Sequence, residues 1–440
     1  MTGTDKDIEQ LIEPVEVDTS RKPDGSIKAP IRRYQTNIPM ILMILVMLSF
    51  GMVVLFSVSA PDAYGLFGDS AHFLRSQLIF TVLGFVACIL ISFLPPKLFD
   101  NRFMMFGAYA VSLVLAIVTL LFGAGGAEHG ASRWLTIGSI QFQTSEVIKV
   151  ALVIAFAGWR SLICSMRAKG KIKSKSPGRQ MLLDAAVDFI IPVVTAALVD
   201  VVIVLQPHVS CFIIIAAVIF MCAVSSEIPI KSWIVGGLIT LLLAAIVGTI
   251  GIAVAPASTR DRIMRNYAHV FKRIAIYNAD DEEEEEISSD DTRQVDNAMN
   301  ALGSGGMWGV GIGNSRAKYN YVSEAQNDYI FSIYVEETGF VGGLILIILY
   351  LIIFAMCMQV IWRADGVYAR TVATGCTTLI FVEVFLNLAV ELQVIPSTGV
   401  TLPFMSYGGT AQISLLIAYG FILQISRYRT KPKQIKEAKA

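Results

Sequence analysis

Residues 317–342, AKYNYVSEAQNDYIFSIYVEETGFVG, carry three carboxylates, Asp328, Glu336 and Glu337, into a long apolar run. Asp328 stands where a polar segment becomes apolar, and Glu336 and Glu337 follow about two helical turns later. If the run crosses a membrane as one helix, Glu336 would lie ~12 Å below the membrane surface. Ionisable groups at that depth usually face a cavity or a partner, so these residues are candidates for a functional site.

Asp328 alone is compatible with two roles. An aspartate at a helix start can cap free backbone N–H groups. The same carboxylate, held at a boundary between water and lipid with reduced solvation, is suited to accept a proton as a general base.

The composition indicates a polytopic membrane protein. Of 440 residues, 55% are hydrophobic and 16% are charged, whereas soluble chains carry about a quarter charged residues. The six cysteines lie in or beside apolar runs without the spacing of a metal site or redox pair, so we interpret them as packing residues. The first 36 residues are polar and lack the pattern of a signal peptide, which predicts a cytoplasmic tail.

Ten apolar windows are long enough to cross a membrane, so the sequence predicts an all-α fold with ten transmembrane helices and both termini on one side. The windows cover residues 37–59, 77–94, 104–123, 144–165, 182–205, 209–225, 233–254, 328–362, 371–391 and 402–426. The chain thus divides into an N-terminal tail (1–36), a membrane domain (37–426) and a basic C-terminal tail (427–440).

Basic residues collect on the side that holds both termini. Residues 167–179 contain six lysines and arginines and no acid, and the C-terminal tail contains six more. The turns after the second and eighth spans add Lys97, Arg102, Arg363 and Arg370. By the positive-inside rule this side is cytoplasmic, so the long loop between the seventh and eighth spans, residues 255–327, is extracytoplasmic.

The long loop has three dissimilar parts. Residues 259–274 space apolar side chains among arginines and lysines, which predicts a basic amphipathic helix on the outer membrane surface. Residues 280–286 are seven consecutive acids, which repel one another and predict a solvated segment. Helix is expected to resume near Thr292, before LGSGGMWGVGIGNS from Leu302, whose six glycines allow close backbone approach or positive φ.

Two further outer segments contain candidate substrate contacts. In GASRWLTIGSIQFQTSEVIK, residues 130–149, Arg133 and Trp134 either anchor the chain in the membrane interface or contact substrate. Glu146 precedes Lys149 by three residues, so the two share a helix face as either a structural ion pair or a substrate contact.

The last outer segment, PSTGVTLPFMSYGGT from Pro396, interrupts helical structure and then resumes it through Ser406 and Tyr407. A broken helix at membrane depth is tolerated only where protein buries it or where it lines a wet cavity. Ser406 and Tyr407 are therefore also candidate substrate contacts.

Taken together, these segments resemble the SEDS family (shape, elongation, division, sporulation), whose members span the membrane ten times. PSTGVTLPFMSYGGT resembles the family's PxTGxPLPFxSYGGS, HGASRWLTIGSIQFQTSE resembles NGAxRWIxLGxxxFQPSE, and SEAQNDYIFSIYVEETGFVG resembles PEAHTDFIFAIxxEExGxxG. The chain departs from these patterns and from the family's QPDLG at Thr144, Ser323 and His208. The glycine-rich stretch favours the division branch of the family over its elongation branch.

The resemblance implies a peptidoglycan glycosyltransferase that polymerises lipid II on the outer face of the cytoplasmic membrane, at the division septum. It also implies a class B penicillin-binding protein and other division proteins as partners; a nucleic-acid partner is not expected. The family's catalytic aspartate matches Asp328, its ion pair matches Glu146 and Lys149, and its lysine ahead of the aspartate matches Lys318.

Such a reaction needs a base for the acceptor hydroxyl and positive charge for the leaving lipid pyrophosphate. We assign Asp328 as the base and interpret Glu336 and Glu337 as residues that shape the site. Positive charge would come from a divalent cation, Mg²⁺ or Mn²⁺, although no metal-ligand cluster is evident in the sequence, or from basic side chains. The candidate side chains are Arg133, Lys149, Arg316 and Lys318.

Two other functions fit ten spans with intramembrane charges. A lipid flippase or transporter would use charged groups on both sides, whereas here we expect the polar groups to gather at the outer face without an inner set. A noncatalytic scaffold for division proteins is the third candidate.

Overall fold

The computed structural model describes residues 37–123, 134–137, 140–206, 208–254, 289–319, 325–396 and 398–428, and these are mainly helical. The helices are α1 (Ile38–Phe67), α2 (His72–Phe93), α3 (Arg102–Phe122), α4 (Thr144–Ala168), α5 (Pro177–Ala185), α6 (Ile191–Val204), α7 (Val209–Ser225), α8 (Ile230–Val254), α9 (Ser289–Ser304), α10 (Ile330–Trp362), α11 (Gly366–Glu391) and α12 (Gly409–Arg427). A π-helix, Ala186–Ile190, joins α5 to α6. One antiparallel hairpin, β1 (Trp134–Ile137) with β2 (Ile140–Gln143), leads into α4 and is the exception to the all-α prediction.

The protein is a polytopic membrane protein. Within the described residues, eight helical segments are long and apolar enough to span a bilayer, with α5 and α6 counted as one segment. Two shorter apolar helices, Val209–Ser225 and Ile230–Ile246, coincide with the remaining predicted windows. All ten windows thus overlap apolar helices, while the number of crossings and the orientation stay predictions.

The interior of the bundle is formed by α4, α11 and α12. Their apolar windows are 67%, 72% and 83% buried, against 28% and 22% for α2 and α3, most of whose apolar side chains therefore face away from the bundle interior. Where α12 packs along α2, a Cβ on Gly420 would lie 2.8 Å from the Cys88 carbonyl oxygen. Small residues permit such backbone contact between membrane helices.

The eighth and tenth predicted spans are not straight helices over their whole length. The last helix begins at Gly409 instead of residue 402, because residues 402–406 form a compact turn. Helix α10 is kinked at Gly339, whose φ of 75° and ψ of −176° are not helical. Glu336 and Glu337 lie before this kink, within the first helical part of α10, and the depth of Glu336 below the membrane surface stays a prediction.

The expected helix near Thr292 is confirmed by α9, which packs against α10. The predicted basic helix of residues 259–274 and the acidic run of residues 280–286 lie outside the described residues.

A buried ionic cluster lies toward the predicted cytoplasmic end of α4, which corrects the expectation that the inner side lacks one. Arg160 donates to Asp188 (2.6 Å) and to the Ser226 carbonyl (3.0 Å), and both Arg160 and Asp188 are fully buried. Arg167 donates to Asp188 and to Asp184, at 2.8 Å each. We call Arg160, Arg167, Asp184 and Asp188 the inner ionic cluster; it ties α4 to α5 and the π-helix.

Candidate active site

Asp328 lies half-buried in the turn of residues 325–329 that precedes α10. Its backbone carbonyl accepts a hydrogen bond from Asn387 Nδ2 (2.9 Å) on α11. The same Nδ2 donates to the Val400 carbonyl (2.9 Å) in the broken segment that follows α11. One amide thus holds the Asp328 turn and the broken segment together.

A glycine borders the Asp328 carboxylate. A Cβ at Gly399 would stand 3.6 Å from Asp328 Oδ2, and Gly399 adopts a φ of 67°. That conformation is unfavourable for residues with a Cβ. The broken segment therefore presents bare backbone to the carboxylate.

The Asp328 turn has a second connection to the broken segment, through Tyr407. The Tyr407 amide donates to the Gln326 carbonyl (2.8 Å), and its half-buried ring packs edge-on against Phe73, with 5.0 Å between ring centroids. Tyr407, a predicted substrate contact, is therefore adjacent to the Asp328 turn.

Ser406, the other predicted contact in this segment, bonds within the protein. Its hydroxyl accepts from the Leu402 amide (2.9 Å), which closes the turn of residues 402–406, and the residue is 3% exposed. Gln77 on α2 supports the same turn: its Nε2 donates to the Ser406 carbonyl (3.2 Å), and its Oε1 accepts from the Gly408 amide (3.1 Å).

The first amides of α10 find their acceptors on Glu391, at the end of α11. The Phe331 amide donates at 3.2 Å and the Ser332 amide at 2.5 Å, and the Ser332 hydroxyl adds a third bond of 2.6 Å. A buried carboxylate is favourable at a helix N-terminus because free N–H groups and the helix dipole meet it. Glu391 therefore caps the helix that Asp328 precedes.

Glu336 holds the loop of residues 315–317, which precedes Asp328 in the sequence. Its carboxylate accepts from the Ser315 hydroxyl, from the Arg316 amide (3.0 Å) and from the Ala317 amide (3.3 Å). The Arg316 side chain is exposed beyond this loop. Arg316 is thus presented to solvent on a backbone that Glu336 fixes.

Lys318 is 3% exposed and is held by internal partners. Its ammonium donates to Glu337 Oε1 (2.8 Å), to the Gly313 carbonyl (2.7 Å) and to the Ser57 carbonyl of α1 (3.3 Å). Glu337 also accepts from the Ser57 hydroxyl (2.6 Å). Because three acceptors match the three ammonium donors, Lys318 joins the loop to α1 and α10 in this conformation.

The glycine-rich stretch pairs with backbone on both sides of the α10 kink. The Val310 and Gly311 amides donate to the carbonyls of Glu336 and Glu337, each at 3.0 Å, and the Phe340 amide donates to the Gly306 carbonyl at 2.9 Å. At Gly309, where φ is 79°, a Cβ would lie 2.2 Å from the Glu337 carbonyl oxygen. The glycines therefore allow the close backbone approach that their density predicted.

The predicted pair of Glu146 and Lys149 is confirmed as an ion pair, with 2.9 Å between Lys149 Nζ and Glu146 Oε1. Sequence reasoning missed its third member, Glu383 on α11, which also accepts from Lys149 Nζ. All three are at least 94% buried. We call them the outer ionic cluster.

Three residues that the sequence alone did not single out lie on one face of α11. Glu383, Asn387 and Glu391 follow one another at intervals of four residues. Glu383 belongs to the outer ionic cluster, Asn387 binds the Asp328 turn, and Glu391 binds the start of α10. Polar residues at this spacing in an apolar span were the signal that would have found them.

Trp134 and Arg133 are the remaining predicted substrate contacts. Trp134 is half-buried in β1, and Arg133 lies outside the described residues. Among the described residues, no three His, Cys, Asp or Glu side chains come together as a metal site.

The fold and site define a polytopic membrane protein in which a half-buried carboxylate lies among loops at one end of a helical bundle. The chain belongs to the FtsW/RodA/SpoVE family of cell cycle proteins, which it matches over residues 37–431. It is 28% identical to a probable peptidoglycan glycosyltransferase FtsW of Trichlorobacter lovleyi, over 94% of this chain and 99% of that protein. It is 27% identical to stage V sporulation protein E of Bacillus subtilis, over 90% and 98%.

Solved structures share the fold. A chain from a peptidoglycan synthase complex that coordinates polymerization and crosslinking superposes with a TM-score of 0.60 at 23% identity, over 90% of this chain and 99% of that one. The rod shape determining protein RodA of Thermus thermophilus, as a D255A mutant, gives a TM-score of 0.59 at 21% identity, with the same coverage.

Proposed function

We propose that this protein is a peptidoglycan glycosyltransferase that polymerises lipid II on the outer face of the cytoplasmic membrane, with Asp328 as general base. Relatives named as probable peptidoglycan glycosyltransferases align with it over nearly their whole length, which supports the reaction class. The glycine-rich stretch favours a role in division, at the septum. A role in elongation, within the same family, is the alternative.

The observation that carries the proposal is the environment of Asp328. Its backbone is fixed by Asn387, its carboxylate borders the bare backbone of Gly399, and the residue is half-buried. A general base needs a fixed position and access to the hydroxyl that it deprotonates. Asp328 combines the two.

In the proposed step, Asp328 takes the proton from the acceptor sugar hydroxyl as that oxygen bonds to the anomeric carbon of the donor. The bond between that carbon and the pyrophosphate oxygen breaks, and lipid pyrophosphate leaves with the electron pair. Pyrophosphate is a good leaving group, so a second carboxylate acting as an acid is not needed. This agrees with the structural contacts of Glu336 and Glu337.

Positive charge for the pyrophosphate would come from Arg316, whose side chain is exposed, and from a divalent cation, Mg²⁺ or Mn²⁺. Mg²⁺ typically binds through one or two carboxylates together with substrate phosphates and water. Such a cation would supply positive charge to the leaving pyrophosphate; among the described residues no three-ligand metal cluster is found. Chelation with EDTA should then stop polymerisation without lowering the melting temperature of the protein.

The proposed partner is a class B penicillin-binding protein that cross-links the glycan, together with other division proteins. The support is the shared fold with a chain of a peptidoglycan synthase complex.

The deciding experiment is polymerisation of lipid II by the purified protein in detergent, with and without its cognate penicillin-binding protein. Asp328→Asn should slow polymerisation by roughly 10²–10⁴-fold, the usual contribution of general base catalysis, while the protein still folds and binds its partner. The matched control is Asp69→Asn, at a partly exposed acid in the loop between α1 and α2, which should keep wild-type activity. A wild-type rate for Asp328→Asn would remove Asp328 from the mechanism.

A lipid flippase is the second candidate, because the inner ionic cluster supplies buried charges toward the other side. Those charges pair with one another, which is the arrangement of a structural cluster. A flippase yields no glycan in detergent, so the same assay separates the two functions.

A further inference from the structure

We propose that Asn387 is a positioning residue for Asp328: its amide holds the backbone on which the base is carried at a fixed place beside the broken segment. This inference rests on the proposed function, because it assumes that Asp328 is the base. Asn387 lies on α11 and is 1% exposed.

The orientation of the Asn387 amide follows from its partners. Nδ2 carries two hydrogens, and two backbone carbonyls, of Asp328 and Val400, lie 2.9 Å from it. Carbonyls only accept hydrogen bonds, so the NH₂ group must face both of them and no flipped assignment satisfies the site. Asn387 is therefore a dedicated donor to these two backbone positions.

The two carbonyls belong to segments that sequence proximity does not bring together. Asp328 is 59 residues from Asn387, and Val400 is 13 residues from it. Val400 follows Gly399, which borders the Asp328 carboxylate. By binding both carbonyls, Asn387 sets the distance between the base and the backbone that faces it.

The Asp328 turn has further supports, but they act on its flanks. The Tyr407 amide binds the Gln326 carbonyl two residues earlier, and Glu391 binds the amides of Phe331 and Ser332 after it. These contacts keep the turn folded when Asn387 is replaced. The expected consequence of losing the amide is thus a displaced base within an intact fold.

A displaced base affects the chemical step more than substrate binding. Misplacing a catalytic group by about 1 Å can cost ~10²-fold in rate, because the reacting atoms leave their productive geometry. Loss of an interaction that matters only in the transition state lowers kcat and leaves KM nearly unchanged. This split distinguishes a positioning role from a purely structural one.

The test is Asn387→Leu, which keeps the approximate shape and removes both donors. In the lipid II polymerisation assay with the full-length protein and its partner, we expect kcat to fall by about 10- to 100-fold and KM to change by less than about threefold. Asn387→Ser keeps one hydroxyl donor and should fall between wild type and Asn387→Leu. If Asn387→Leu does not fold, Asn387→Ser takes the same measurement.

The matched control is Gln424→Met on α12. Gln424 is also a 1% exposed amide that donates to one backbone carbonyl, that of Leu94 (2.8 Å). It lies sixteen residues after Gly408, ~24 Å along the helix from the broken segment. Gln424→Met should lower the melting temperature comparably and leave kcat at the wild-type value.

Three results would overturn the inference: wild-type kcat in Asn387→Leu, a parallel rise in KM that accounts for the loss, or an equal loss of kcat in Gln424→Met. Asp328→Asn, measured in the same series, separates this inference from the proposed function. Full activity in Asp328→Asn removes the base itself, whereas an inactive Asp328→Asn with fully active Asn387 variants removes only the positioning role.

Discussion

The inner and outer ionic clusters lie toward opposite ends of α4 and differ in their charge balance. The inner cluster pairs two arginines with two aspartates, so its formal charges cancel. The outer cluster surrounds Lys149 with Glu146 and Glu383 and keeps one formal negative charge in excess. Balanced charges suit a structural tie, whereas an uncompensated buried charge is costly and is typical of functional regions of membrane proteins.

The clusters also differ in what they adjoin. The inner cluster contacts the π-helix and the Ser226 carbonyl between α7 and α8. The outer cluster shares one face of α11 with Asn387, one turn from Glu383, and through it reaches the Asp328 turn. We therefore expect damage to the inner cluster to lower stability alone, and damage to the outer cluster to lower both stability and activity.

The largest effect is expected for Lys149→Met, which leaves two buried carboxylates facing each other without a cation. Removing one partner of a buried pair costs about 3–5 kcal/mol of unfolding free energy, and we also expect polymerisation per folded molecule to fall at least tenfold. Glu383→Gln is the matched control, because the remaining Glu146 and Lys149 form a neutral pair; its cost should be about 1 kcal/mol. Both are measured by denaturant unfolding in detergent and by lipid II polymerisation. Equal stability losses in the two variants would show that charge balance does not govern this cluster.

Asp188→Leu tests the inner ionic cluster by removing one of its two carboxylates. It leaves the fully buried Arg160 without its carboxylate, so the unfolding free energy should fall by about 3–5 kcal/mol while activity per folded molecule stays at the wild-type value. Asp184→Asn is the control: its side chain is 26% exposed and pairs with the 34% exposed Arg167, so the loss should be at most about 1 kcal/mol. If Asp188→Leu lowered activity per folded molecule as strongly as Lys149→Met, the proposed division between the clusters would fail.

The smallest effect is expected in the glycine-rich stretch. Here two glycines are compared, one in close contact with the backbone of α10 and one facing open space. Gly309→Ala places a Cβ 2.2 Å from the Glu337 carbonyl oxygen at a φ of 79°, whereas Gly313→Ala meets open space at a φ of 83°. The left-handed conformation alone costs roughly 1–2 kcal/mol, so Gly313→Ala should show about that loss and Gly309→Ala more. Gly309→Ala should also weaken polymerisation, because Glu337 and Lys318 pack at the same kink. Identical melting temperatures for the two variants would argue against close pairing of the loop with α10.

Patterns within short stretches of sequence predicted several features of the site. The spacing of Glu146 and Lys149 predicted their ion pair, and the density of glycines after Leu302 predicted close backbone approach. The apolar windows predicted the membrane helices, since length and composition determine which segments can span a bilayer. Each of these features depends on residues that lie close together in the sequence.

Long-range partners were not predictable in this way. Glu383 is 234 residues from Lys149, and Lys318 contacts the Ser57 carbonyl 261 residues away. Lys318 was expected to offer charge to a substrate, yet the structure surrounds it with three acceptors. A single sequence shows that a charge is present and leaves open which partner neutralises it.

The sequence by itself determined the class of protein, the apolar helices that could cross a membrane and the segments that hold the candidate residues, because hydrophobicity and local spacing carry that information. Tertiary structure decided which carboxylates support the fold and which one remains half-buried at the site. The physical reason is that the cost of a buried charge depends on its surroundings. For Asp328 those surroundings come from α10, α11 and the broken segment, which only folding brings together.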